Sequence, residues 1–474
     1  MTSHPLAASA RIAAALALVA ALTGCGHLSP SRAAAVSTSY VSMQLCGAAF
    51  IAQIDPDAYY REAVEPRGGP LAPFFRYAVD RERREVTTTL AGFAARRAVF
   101  RGPLGCLAEP GDAGAPPAIA DLPAVPLAEA LLPPIAPPEP VAPASPALAA
   151  ALARAFDEPP EPLPHETKAI VVVQHGRIVA ERYAPGITPT TPLLGWSATK
   201  SVTNALLGIL VRQGRLDMHA PAPVAAWVDP RDPRHAITAD QLLRMTSGLD
   251  LGSSLNANVL TAFDRSAQIT FLGGDMAAAA EEASLNAPPG TSWQYADGNT
   301  LILSRIIRDA AGGDARAVYA FMHRELLDKL GMAHTTFELD SAGTPIGGSR
   351  LWAPARDWAR FGMLYLHDGV VAGQRLLPPG WVADSARLTP GSEYVGYGAG
   401  FWTNRGDSGG AAKRVAAGMP REAFMARGTD GQYVIVIPSM DLVIVRLGNS
   451  LGWGGAIESV DRLVADVVAA LGGD

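Results

Sequence analysis

Gly195-Trp196-Ser197-Ala198-Thr199-Lys200 is the stretch that decides how this chain folds. At the first turn of a helix, a serine and a lysine three residues apart share one face, so the lysine ammonium reaches the serine hydroxyl. Leu206 to Val211 continues that helix with apolar residues on nearly every side, which predicts burial. An apolar setting is the one in which a lysine activates a neighbouring serine. Only four lysines occur, Lys168, Lys200, Lys329 and Lys413, so Lys200 is not one of many surface charges. Outward from this point, Ala147 to Phe156 is a short alanine-rich helix, and Ala169 to Val173 and Arg177 to Tyr183 are strands joined by Gln174-His175-Gly176. Thr238 to Met245, Thr300 to Ala311 and Ala317 to Leu330 read as helices, then Tyr433 to Pro438 and Asp441 to Leu447 as strands. Strands at both ends with helices between predict an α+β domain whose antiparallel sheet joins sequence-distant strands around a helical insert.

The serine-lysine triplet is followed, in order, by Ile237-Thr238-Ala239-Asp240-Gln241-Leu242-Leu243-Arg244-Met245-Thr246-Ser247-Gly248-Leu249 and Pro289-Gly290-Thr291-Ser292-Trp293-Gln294-Tyr295. Gly331-Met332, Ala355-Arg356-Asp357-Trp358-Ala359-Arg360-Phe361-Gly362, Gly396-Tyr397-Gly398-Ala399-Gly400-Phe401-Trp402 and Arg427-Gly428-Thr429-Asp430-Gly431-Gln432-Tyr433 complete the set. Together they resemble the penicillin-recognising serine hydrolases, the class C β-lactamase-related superfamily, and within it the 6-aminohexanoate-dimer hydrolase and esterase branch. The resemblance implies a β-lactamase/transpeptidase-like domain, an antiparallel sheet flanked by helices plus a helical subdomain. It also implies a serine hydrolase that acts through an acyl-enzyme on esters or amides of small substrates, without cofactor or metal.

Residue by residue, the resemblance makes Ser197 the nucleophile, Lys200 its base partner and Tyr295 the phenol that shuttles the proton. The third motif falls at Thr429-Asp430-Gly431, and the Gln432 backbone N–H would join that of Ser197 in an oxyanion hole. Two departures stand out: Asp297 replaces the asparagine of the Tyr-x-Asn motif, and Thr429 replaces the basic residue of the third motif. With Asp297 and Asp430 adding negative charge, anionic substrates should suffer, unless Arg427 supplies the missing cation. The alternatives left open are a β-lactamase or D-amino-acid peptidase, and a non-catalytic binding protein on the same fold. Other templates fail: Gly195-x-Ser197-x-Thr199 lacks the closing glycine of the α/β-hydrolase elbow, and His165-Glu166 lacks the second zincin histidine.

The 474 residues divide, on this reading, into 1–24, 25–110, 111–150 and 151–474. Residues 1–24 read as a signal peptide, with an eleven-residue apolar run, Ile12 to Leu22, too short to span a bilayer. Leu22-Thr23-Gly24-Cys25 resembles a bacterial lipobox with Cys25 as the lipidated residue, and the absence of aspartate at Gly26 favours an outer-membrane anchor facing the periplasm. An ordinary signal peptide is the alternative. No long apolar span is expected later. Export and parity make Cys46 and Cys106 a disulfide pair rather than two buried thiols; the bridge would close a loop of about 60 residues and stabilise by roughly 4 kcal/mol. Residues 25–110 read as a small β-containing module, with a hairpin at Arg84 to Leu90 and Phe93 to Arg101. Gly111 to Pro146 holds eleven prolines and reads as an extended linker laid along its neighbour. A net charge of −6 with no dense basic block leaves no footprint for nucleic acid.

Overall fold

The computed structural model describes residues 29–109, 129–157, 165–255, 259–407, 409–451 and 453–472. Residues 1–24, Cys25 and the first half of the proline-rich stretch lie outside them. The strands are, in chain order, β1 (Phe75–Asp80), β2 (Glu85–Leu90), β3 (Phe93–Phe100), β4 (Cys106–Ala108), β5 (Thr167–Gln174) and β6 (Arg177–Tyr183). After them come β7 (Leu193–Leu194), β8 (Thr336–Phe337), β9 (Leu351–Ala353), β10 (Val370–Val371), β11 (Gln374–Arg375), β12 (Trp402–Thr403), β13 (Phe424–Gly428), β14 (Gln432–Ile437) and β15 (Leu442–Gly448). The helices that bear on the site are α1 (Pro30–Cys46), α2 (Pro146–Ala155), α3 (Thr199–Arg212), α4 (Arg265–Leu272), α5 (Asp297–Ala311), α6 (Ala355–Leu366) and α7 (Trp453–Leu471).

The main sheet runs β12-β13-β14-β15-β5-β6, antiparallel throughout. Its strands read as continuous apolar runs because both faces are covered. Val171, Val173, Val434, Val443 and Val445 face one core with α3 and α6, while Ile170, Val172, Ile435 and Ile444 face the other with α2 and α7. The edge strand β6 does not stay bare. Residues 129–145 run beside it, with Ile178 N–H donating to the Ile135 carbonyl (3.0 Å) and Glu181 N–H to that of Val141 (3.1 Å). The stretch Ala315–Leu330 is helical as expected, with one π turn at His323–Leu327.

The hairpin at residues 84–101 is β2 and β3, within the sheet β1-β2-β3-β4. Helix α1, absent from the sequence expectation, lies across that sheet: Thr38 donates to the Ala94 carbonyl (2.7 Å) and Ser42 to Thr88 Oγ1 (2.9 Å). Together with the turn that continues it, Pro30–Ala52 is long and apolar enough by length and composition to cross a membrane, which corrects the expectation of no such span. Most of it is buried against the rest of the chain, as in the core helix of a globular protein.

This N-terminal segment shares one hydrophobic core with the region that follows the linker. Cys46 and Cys106 are disulfide-bonded, with Cα atoms 6.1 Å apart. Next to the bridge, Glu338 and Arg350, both wholly buried, form an ion pair at 2.5 Å. The Cys106 N–H donates to Glu338 Oε1 (2.8 Å), and Arg350 donates to the Met43 carbonyl (3.3 Å). At Gly47 a Cβ would lie 2.1 Å from the Trp352 ring, so only glycine permits that approach.

Candidate active site

Ser197 sits in a 3-10 turn, Trp196–Ala198, that feeds directly into α3, and the one-face geometry expected of positions 197 and 200 is present. The turn is strained at Trp196, whose φ is +48°. Three contacts fix it: Thr199 Oγ1 donates to the Trp196 carbonyl (2.6 Å), Leu351 N–H donates to Thr199 Oγ1 (3.2 Å), and Gly428 lies close behind. A Cβ on Gly428 would fall 2.1 Å from the Gly195 carbonyl oxygen, so any side chain there would push the serine turn off β13.

Lys200 is buried, and its ammonium has three protons and three acceptors. Nζ donates to Ser197 Oγ (3.1 Å), to the Gly348 carbonyl (2.8 Å) and to Asp297 Oδ1 (2.5 Å), and stands 4.7 Å from the centre of the Tyr295 ring. Asp297 opens α5, where the helix N-terminus favours a carboxylate, and its own N–H donates to Ser254 Oγ (3.0 Å). The Gly348 carbonyl was not foreseen in the sequence; the paired glycines Gly347-Gly348 were its only signal.

Tyr295 is buried among Trp293, Tyr397 and Trp402, with ring centres 5.4–6.2 Å apart, and its hydroxyl makes no hydrogen bond of regular geometry. Burial, and then the Asp297 charge, push its phenol well above the usual range, with the nearby Ser197 hydroxyl and Arg427 pulling the other way. Arg427 stacks over Trp402 (5.0 Å) and Tyr433 (5.4 Å) on this aromatic side.

The third motif forms a 3-10 turn, Thr429–Gly431, between β13 and β14, with Asp430 at φ +66°. Buried Arg446 clamps it, donating to the Gly431 carbonyl (2.9 Å) and the Asp430 carbonyl (3.2 Å). Gln432 is buried in β14, and its amide donates to the carbonyls of Thr429 (3.1 Å) and Asp430 (3.2 Å). It braces the turn, while Thr429 lines a cavity together with Ser197, Asp297, Ser349 and Trp196. The bare negative charge expected of Asp297 and Asp430 is corrected: Lys200 pairs with the first, and Arg67, from the N-terminal segment, pairs with the second. Nothing in the sequence ties Arg67 to a turn so far along the chain.

A double-covered antiparallel sheet, a serine at the head of a buried helix and a lysine bonded to it define a β-lactamase-related serine hydrolase. The sequence matches the Beta-lactamase family over residues 154–469, and the chain belongs to that family. It is similar to the 6-aminohexanoate-dimer hydrolase of Paenarthrobacter ureafaciens, 29% identical over 296 residues that cover 60% of this chain and 72% of that one. Among solved structures it resembles a candidate 6-aminohexanoate-dimer hydrolase of Bacillus anthracis (TM-score 0.54, 23% identity, covering 65% of this chain and 80% of that one). It also resembles a penicillin-binding protein homolog of Caulobacter crescentus (TM-score 0.53, 19% identity, covering 70% and 99%).

Proposed function

We propose that Ser197 is acylated by small esters or amides and that water releases the acyl group. The observation that carries this is the Lys200 Nζ to Ser197 Oγ contact at 3.1 Å beside an open cavity. Lys200 first hands one proton to Asp297, and the lone pair so freed takes the Ser197 proton as the serine oxygen attacks the substrate carbonyl. The Tyr295 phenol, held protonated by burial, gives its proton to the departing oxygen or nitrogen and is recharged from Lys200. Water then attacks the acyl carbon by the same route in reverse, and Ser197 regains its proton. Thr429 opens its turn, a position whose N–H has no acceptor within the turn, so its N–H with that of Ser197, in place of Gln432, forms the oxyanion site. Similarity to a 6-aminohexanoate-dimer hydrolase supports an amide or ester with a linear acyl part.

The test is intact-protein mass after exposure to p-nitrophenyl esters and a fluorophosphonate. Wild type should gain one acyl or phosphonyl group at Ser197, and Ser197→Ala should gain none and lose turnover by at least about 10⁴-fold. Near-wild-type turnover in Ser197→Ala would end the proposal. The place of work proposed is the periplasmic face of the outer membrane, with lipid on Cys25 as anchor. Cys25→Ala should then leave the membrane fraction or stall in processing; unchanged fractionation with normal processing argues against the anchor.

A further inference from the structure

The cavity beside Ser197 has a volume of about 160 Å³ and two walls of different origin. One belongs to the region that matches the family; the other is built from the N-terminal segment, outside residues 154–469, by Val36, Tyr40, Val41, Val64, Leu71 and Phe75. Tyr40 joins the walls, stacking on Trp196 (6.2 Å, 19°) and meeting Phe271 of α4 edge-on (5.6 Å).

We infer that this cavity is an acyl-chain pocket, and that the N-terminal segment makes the enzyme selective for esters or amides of uncharged, apolar acyl groups of medium length. The inference rests on the proposed acylation of Ser197. Three observations carry it. Four of the hydroxyls in the lining are engaged by the protein itself: Ser37 donates to the Ala33 carbonyl (2.9 Å), Thr270 to the Ser266 carbonyl (2.9 Å), and Ser254 and Ser266 bond each other (2.5 Å). Arg67, a cation in the lining, is paired with Asp430, and Asp297 with Lys200, so neither sign of charge on a substrate finds an unmatched partner. Lys200 and Tyr295, which handle the protons of the leaving group, do not line the cavity. The leaving group therefore departs on their side, and the part retained on Ser197 enters the pocket.

At roughly 10–15 Å³ for each water-sized group, the volume admits on the order of ten non-hydrogen atoms. The wall is tied down by the Cys46–Cys106 bridge and the Glu338–Arg350 pair, and such fastening lowers the ordering cost of binding.

The experiment measures kcat/KM of the full chain on p-nitrophenyl esters from acetate to dodecanoate, with fluorophosphonate labelling of Ser197 in parallel. Each methylene buried adds up to about fourfold, so octanoate should exceed acetate by about 100-fold, with a fall by dodecanoate. Leu71 is only half-buried and tolerates change. Leu71→Trp should cut the octanoate-to-acetate ratio by about tenfold or more, and Leu71→Ala should shift the optimum toward longer chains. An active, labelled enzyme with a flat profile, a preference for acetate, or equal losses at every length in both variants overturns the pocket alone. No turnover of any ester with Ser197 unlabelled overturns the acylation on which it rests.

Discussion

The two walls of the cavity are held in place by different physics. On the Ser197 side, a six-stranded sheet covered on both faces carries the serine turn, and α3, α5 and β13 set its geometry through many packed side chains. Across from it, one helix and a four-stranded sheet pack into the same hydrophobic core and are fastened further by a disulfide, a buried ion pair and the close contact of Gly47 with Trp352. Chemistry sits on the family-matching part, and shape is added by the N-terminal segment fastened to it. Changes to the first should therefore remove reaction without loosening the fold, whereas changes to the second should loosen the fold and alter selectivity.

The largest separation of the two is expected at Tyr295. Tyr295→Phe keeps the ring that packs against Trp293, Tyr397 and Trp402 and removes only a hydroxyl that makes no regular hydrogen bond. Activity should fall by about 10²–10⁴-fold, with the acyl-enzyme slow to form or to clear, while the denaturation midpoint stays at or above that of wild type. A matching fall in stability would mean that the phenol belongs to the packing and not to the reaction.

Much of the Ser197 wall was legible in the sequence because its signals are local. The i and i+3 spacing of Ser197 and Lys200, the apolar run of α3 and the apolar runs of β5 and β14 each act over a few residues. Helix α1 escaped notice because small polar residues such as Thr38, Ser39 and Ser42 are interleaved with Val36, Val41 and Met43 and buried with them, which leaves no amphipathic period; Ser29-Pro30, a capping residue type followed by proline at the first helical position, was its one mark. Gly409 and Gly410 open the helix Gly409–Ala416, a start that two consecutive glycines do not signal. The contacts of Arg67 with Asp430 and of Glu338 with Cys106 join residues hundreds of positions apart or nearly so, and no spacing rule reaches that far.

On the stapled side, the double variant Cys46→Ser/Cys106→Ser should lose about 4 kcal/mol of stability, the loop-closure entropy of roughly 60 residues. Urea unfolding of both proteins measures it. Residual turnover by the variant at low temperature, with its chain-length preference blunted, would match the division between chemistry and shape. Loss of all turnover in a variant that is still folded would show that the N-terminal segment also holds the Ser197 turn.

The smallest effect tests whether the family-matching side unfolds independently. Asp357, in the first turn of α6, is buried and accepts hydrogen bonds from the His334 N–H (3.0 Å) and the Thr335 hydroxyl (3.0 Å). Burial pushes its carboxyl up to about 6, partly offset by those two donors. The ordinary value is near 4, so between about pH 4 and 6 the folded chain keeps a proton that the unfolded chain has released. Folding stability from this group therefore falls as pH rises through that window, and the full loss remains above it. Asp357→Asn keeps an acceptor for both donors and cannot ionise. Relative to wild type, its stability should be about 1–3 kcal/mol more favourable at pH 7 than at pH 4, read from urea midpoints at the two values. Because Asp357 lies within the family-matching core, the same difference should persist when the variant is combined with the two serine substitutions at Cys46 and Cys106. A difference that vanishes in the combined protein would show that the two sides unfold as one unit, and that the staple supports the core as well as the pocket.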